Sequence, residues 1–199
     1  MRQAAFTVVL LLAASANAQI SDFDPDELCV LLNDFGIETT PFGIVSGDRP
    51  LCYSVAHPGS AEEGTDYSFR VLGADDLNPA GLSVVARGGL DSLVDGPAYG
   101  LYLQMVERLL ARFFDPIEVA DVLGIYRQMG PNERSSATGK GIEVQFYRIH
   151  RPLPGIGTLV ELSFGLADAC AYVRIEAAHE QCLSDSIDFA WEYQRKLMQ

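Results

Sequence analysis

PAYGLYLQMVERLLARFF, residues 97–114, runs directly into DPIEVADVLGIYRQMGP, residues 115–131, and the fold turns on how this stretch reads. Tyr102, Met105, Val106, Leu109, Leu110 and Phe113 recur at helical spacing on one side. Gln104, Glu107, Arg108, Ala111 and Arg112 fall on the other, so the spacing predicts an amphipathic helix over 97–114. Asp115 then caps a second helix, with Pro116 at its first position and Glu118 completing a capping box. Val119, Val122, Leu123 and Tyr126 form its apolar stripe, and Gly130-Pro131 stops it.

Working toward the amino terminus, three short strands are expected at Leu51 to Ala56, Asp66 to Leu72 and Leu82 to Arg87. In the second, Tyr67, Phe69 and Val71 alternate against Ser68 and Arg70, the pattern of a half-buried strand. A loop over Thr39 to Pro50 precedes them. Before it lies a helix capped by Asp24, with Pro25 and Glu27 in its first turn and Gly36 at its end. Leu28, Val30, Leu31, Leu32 and Phe35 supply its apolar side.

Working toward the carboxy terminus, Asn132 to Gly141 reads as a polar loop. Three further strands are expected around Ile142, Val144 and Phe146, then Val160, Leu162 and Phe164, then Ala171, Val173 and Ile175. A last helix follows, capped by Ser184 or Asp185 and carrying Ile187, Ala190, Trp191 and Leu197. Short connections favour antiparallel pairing. The expectation is an α+β fold of antiparallel sheet with packed helices, in the order α-β-β-β-α-α-β-β-β-α. The order also divides into two α-β-β-β-α halves, although the residues of the halves do not match.

Residues Met1 to Ala18 read as a cleaved signal peptide. Arg2 supplies the amino-terminal charge, and an apolar run from Ala4 to Ala14 is broken only by Thr7. That run is about eleven residues, the length of a signal core and too short to cross ~30 Å of hydrocarbon. Ser15-Ala16-Asn17-Ala18 places small residues for a cut before Gln19, leaving residues 19–199 as a single α+β domain. No later segment is long and apolar enough to insert in a membrane once the signal is removed.

The full chain carries 27 acidic against 14 basic residues. Arg2 leaves with the signal and no acid does, so 13 basic residues and a net charge near −14 remain. Such a field argues against nucleic acid and anionic lipid as partners. The full chain's basic residues are 12 arginines, Arg2 included, and 2 lysines, and no Asn-x-Ser/Thr acceptor occurs, which points toward a bacterial periplasm among secreted destinations.

Cys29, Cys52, Cys170 and Cys182 all survive the cut. An even number in an oxidising compartment indicates disulfides, and four cysteines allow three connectivities. Cys29–Cys52 and Cys170–Cys182 each close a local loop, worth about 3 kcal/mol in the chain-entropy model. No Cys-x-x-Cys pair supports a redox site, and the spacing does not suit zinc.

Other motifs fail on their own terms. Ala137-Thr138-Gly139-Lys140-Gly141 approaches a phosphate-binding loop but has Arg134 and Gly141 at the positions that need Gly and Ser/Thr, so it reads as a flexible surface loop. Asp22, Asp24 and Asp26 open like a calcium loop, yet Glu27 and Asn33 occupy the required Gly and Glu positions, and capping explains the acids. His179-Glu180 lacks a second histidine, with Leu183 in its place. His57 precedes Pro58-Gly59 and His150 precedes Arg151-Pro152, so both read as loop residues, and Trp191 reads as core. Tyr147 to Arg151 is the most basic run and reads as a strand end entering a loop. No catalytic, cofactor or metal residue is therefore designated.

Two functions remain as expectations. The first is an exported soluble binding or interaction module of the periplasm, engaging a protein or small-molecule partner. The alternative is a periplasmic hydrolase whose catalytic residues converge only in the fold. A pocket joining His57, His150 or His179 to acids would favour the enzyme; an exposed patch or open sheet would favour the module.

Overall fold

The computed structural model of the chain describes residues 19–44, 51–54, 57–58, 64–73, 78–94, 96–155, 157–168 and 194–197. The expected signal peptide, the strand near Ala171, Cys170, Cys182, His179 and Trp191 lie outside them.

A 3-10 turn at Ile20–Asp22 opens the described chain, followed by helix α1 (Pro25–Cys29) and a second 3-10 turn at Asn33–Phe35. Asp24 caps α1 by accepting from the Asp26 N–H at 2.9 Å. The expected helix to Gly36 is broken after Cys29, and Gly36 ends the segment with a left-handed φ of 74°. Four strands come next: β1 (Leu51–Tyr53), β2 (His57–Pro58), β3 (Asp66–Gly73) and β4 (Pro79–Gly89).

Short helix α2 (Leu90–Leu93) leads into α3 (Pro97–Leu110) and α4 (Pro116–Arg127). Tyr102, Met105, Val106, Leu109 and Leu110 are all buried, as the helical spacing requires. Helix α3 ends at Leu110, four residues before the expected Phe114. The Asp115–Glu118 capping box forms reciprocally: Asp115 Oδ1 accepts from the Glu118 N–H at 3.0 Å, and Glu118 Oε2 from the Asp115 N–H at 2.9 Å.

The largest correction concerns the polar stretch before Ile142. It is not a loop but strand β5 (Glu133–Gly139), which pairs antiparallel with β6 (Ile142–Leu153). Its inward positions are Glu133, Ser135, Ala137 and Gly139, too small and polar to betray a strand by hydrophobic alternation. Lys140 and Gly141 make the two-residue turn, with φ of 52° and 77°, the primed geometry that matches the twist of a hairpin. Lys140 is also not in a flexible loop, because its Nζ lies 2.6 Å from Glu118 Oε2 and ties the hairpin to the start of α4.

Strand β7 (Gly157–Asp168) follows, and β8 (Gln194–Leu197) pairs with β5. The end of the expected closing helix is thus extended; the rest of that helix lies outside the described residues. One antiparallel sheet results, in the order β1-β3-β4-β7-β6-β5-β8, with β2 also on β3. The two strand groups join along the β4–β7 seam, in register from Gly81↔Ala167 to Gly89↔Leu159. The α+β architecture of antiparallel sheet with packed helices is the one read from the sequence.

Register sorts the side chains into rows across the sheet. On the helix side run Phe69–Val84–Phe164–Phe146–Ser135 and Val71–Leu82–Leu166–Val144–Ala137, all buried. These rows meet α3 and α4 in a single core. The opposite face carries Ser68–Val85–Ser163–Tyr147–Arg134 and Arg70–Ser83–Gly165–Gln145–Ser136. No described helix packs on that face.

Two long-range ties secure the first described segment. Cys29 and Cys52 are at disulfide distance, with sulfurs 2.01 Å apart, linking α1 to β1. Asp168, buried at the end of β7, accepts from the Ile20 N–H at 2.7 Å and the Ser21 N–H at 3.2 Å. Burial pushes the Asp168 carboxyl above its usual range, against the two backbone bonds that oppose the shift.

Candidate functional site: a buried arginine among tyrosines

The alternation that buries Ile142, Val144 and Phe146 on β6 continues through positions 148 and 150. Period-two geometry therefore turns Arg148 and His150 toward the helices. The Tyr147 to Arg151 run is not a strand end entering a loop, since β6 extends to Leu153 and Arg148 is buried. Its row reads Tyr67–Ala86–Leu162–Arg148–Glu133 across the sheet.

Arg148 meets tyrosines from both long helices. Its Nη1 donates to the Met129 carbonyl just beyond α4 at 2.7 Å, and its Nη2 to the Tyr99 hydroxyl on α3 at 3.0 Å. The guanidinium carbon stands 5.4 Å from the Tyr99 ring centre and 5.5 Å from that of Tyr126. Tyr126 in turn stacks on Phe146 at 4.8 Å and approaches Tyr102 at 5.9 Å. Among the described residues no carboxylate forms an ion pair with Arg148. Glu133, buried directly across on β5, accepts from the Gly130 N–H at 2.5 Å.

The cluster also gathers polar atoms that make no close hydrogen bond. Tyr102 Oη, Tyr126 Oη, Arg148 Nε and His150 Nε2 are buried and make none. The two tyrosine hydroxyls nevertheless interact with each other, and that of Tyr126 also with Arg148. Burial raises both phenols above their ordinary range, so both remain protonated donors at neutral pH. Burial first, and then the Arg148 charge, holds the His150 imidazole below its ordinary range.

Of the histidines considered in the sequence, His57 and His150 are not brought together and neither sits in a loop; His179 lies outside the described residues. His57 lies on β2 and His150 on β6, four strand spacings or roughly 19 Å apart across the sheet. His150 Nε2 has no acid partner, so no nucleophile–base–acid arrangement forms around it among the described residues. Asp22 and Asp24 act as caps, Asp22 Oδ2 accepting from the Gln19 N–H at 2.9 Å. No cluster of His, Cys, Asp and Glu able to hold a metal occurs among the described residues, nor any helix long and apolar enough to cross a membrane.

Two surface features complete the inventory. A groove of about 400 Å³ between α3 and α4 has Phe114, Val119 and Leu123 in its lining, with Glu107 and Arg127 also at its walls. The sheet face opposite the described helices has at its centre short side chains at Ser83, Val85, Ser163, Gly165 and Ala167. Around them stand Arg70, Arg87, Arg134 and Arg151 against Asp66, Glu143 and Glu161. Arg87 pairs with Glu161 at 2.8 Å, and Arg134 lies over the Tyr147 ring at 5.0 Å.

The chain matches no protein-family model, no curated protein and no solved structure.

Proposed function

We propose that the chain is an exported binding module of the bacterial periplasm, engaging a partner through the sheet face that carries no described helix. One observation carries this reading. A chain with net charge −13 presents one face whose described charges nearly balance and whose centre is made of short side chains. Elsewhere the acidic field repels other acidic macromolecules; at this face that barrier is absent. The disulfide-distance pair Cys29–Cys52 supports an oxidising compartment, and the signal-like first eighteen residues support export.

The test is native mass spectrometry on unreduced protein purified from its secretory compartment, alongside Ser163→Arg. Ser163 sits half-exposed on the central strand β7, so a long charged side chain there leaves the core untouched. The expected result is a wild-type complex, a bare Ser163→Arg protein and equal melting temperatures. A partner retained equally by both proteins, or found on neither, overturns the reading. The same spectrum shows whether the mature chain begins at Gln19.

A further inference from the structure

We propose that Asp22 holds the α-amino group freed at Gln19 as an ammonium ion, tying the new terminus to the fold and slowing its cyclisation to pyroglutamate. This inference rests on the reading of residues 1–18 as a cleaved signal and on nothing that concerns the sheet face.

Removal of the chain through Ala18 turns the Gln19 backbone nitrogen from a peptide N–H into a free amine. That nitrogen already has a fixed place, 2.9 Å from Asp22 Oδ2. The turn that fixes it is anchored from within the molecule. Ile20 is fully buried, and Asp168 at the end of β7 accepts from the Ile20 N–H at 2.7 Å and the Ser21 N–H at 3.2 Å. None of these contacts uses the Ala18–Gln19 bond, so the nitrogen keeps its position after the cut.

The charges around the turn are of one sign. Strands β4 and β7 pack against it. Pro79 to Leu82, the end of β4 beside the end of β7, carry no charge, and β7 brings Asp168. Among the described residues no basic side chain forms an ion pair with Asp22. The freed amine supplies that cation, and a neutral hydrogen bond becomes a charge-assisted one. An opposite charge this close favours the protonated amine and lifts its pKa above the ordinary ~7.7–8.0. Asp22 is exposed, which limits the rise to about half a unit.

Protonation decides which chemistry is open to an amino-terminal glutamine. In cyclisation the lone pair of the α-nitrogen attacks Cδ of the same residue. A lactam ring forms, the Cδ–Nε2 bond breaks, and a proton from the α-nitrogen leaves with the amide nitrogen as ammonia. No oxidant, reductant or water is consumed. Only the neutral amine carries the lone pair, so a rise of half a unit slows the reaction roughly threefold at neutral pH.

The test is a mass-spectrometric time course on unreduced protein purified from its secretory compartment and held warm at neutral pH. The first spectrum reads the terminus, and later ones follow the loss of ammonia. Wild type is compared with Asp22→Asn, which removes the charge at an exposed position and leaves the core untouched. Asp24→Asn is the control: it removes the same charge two residues along, and asparagine still caps α1. The expected chain starts at Gln19, and Asp22→Asn loses ammonia about three times faster than wild type. Asp24→Asn keeps pace with wild type, and the gap closes at about pH 10, where both amines are neutral. A chain that starts elsewhere overturns the signal reading and this inference together. A chain that starts at Gln19 but is isolated fully cyclised, or cyclises equally fast in wild type and Asp22→Asn, overturns this inference alone. Acceleration by Asp24→Asn equal to that by Asp22→Asn reduces the contact to a general field and also overturns it.

Discussion

The guanidinium of Arg148 and the main-chain oxygen of Met129 are 2.7 Å apart, so the end of α4 is tied to the sheet through a buried charge. The same guanidinium reaches Tyr99 on α3, and one side chain thereby links both long helices to β6.

Arg148→Ala is expected to cost about 2–4 kcal/mol, because it leaves a cavity and strands the Met129 carbonyl. Arg148→Met, which refills most of the volume and removes the buried charge, should cost clearly less. Urea unfolding of the two variants decides the matter. Equal losses would mean that the packing of the long side chain contributes nothing.

Asp168 makes stability depend on pH in an unusual direction for an acid. Burial raises its folded pKa above the unfolded one, so the folded state holds the proton more tightly. The stability this adds is complete below the unfolded pKa and is lost as pH rises through the folded pKa. Asp168→Asn lacks that dependence. The unfolding free energy of wild type minus that of Asp168→Asn should therefore fall as pH rises from about 3 to 7. A difference that stays flat or grows would contradict the assignment.

Replacing both Cys29 and Cys52 by Ser should destabilise the chain by about 3 kcal/mol, the value for closing a loop of this size. The pair spans 23 positions in sequence and joins α1 to β1. The denaturant midpoint of the unreduced variant should fall below that of the unreduced wild type. If the reduced wild type is as stable as the oxidised protein, the link has no stabilising role.

Gly88→Ala should cost about 1–3 kcal/mol by overpacking. An added Cβ would lie 2.7 Å from Thr65 Oγ1, which is itself held by Ser92 Oγ at 2.7 Å. Gly165→Ala serves as the control on the same sheet, since its nearest neighbour would be the Leu82 oxygen at an ordinary 3.8 Å. Thermal unfolding of both should separate them; equal melting temperatures would show that Thr65 yields without cost.

The sequence by itself determined the helices and the strands that alternate in hydrophobicity. Asp115, Pro116 and Glu118 cap α4 through local bonds that need nothing distant, and Tyr67, Phe69 and Val71 mark β3 by their period of two. It also held an unread signal for the buried cluster. The period that turns Ile142, Val144 and Phe146 inward reaches Arg148 and His150 if carried two steps further, past the charge that made the run look exposed. Tertiary structure alone decided the rest. Strand β5 forms from Glu133, Ser135, Ala137 and Gly139 because the β6 ladder satisfies its backbone, and a hydrogen-bond ladder is indifferent to side-chain hydrophobicity. The β4–β7 seam unites two strand groups separated by three helices. The meeting of Tyr99, Tyr102, Tyr126 and Arg148 depends on that union, because their proximity arises from packing across the sheet and not from spacing along the chain.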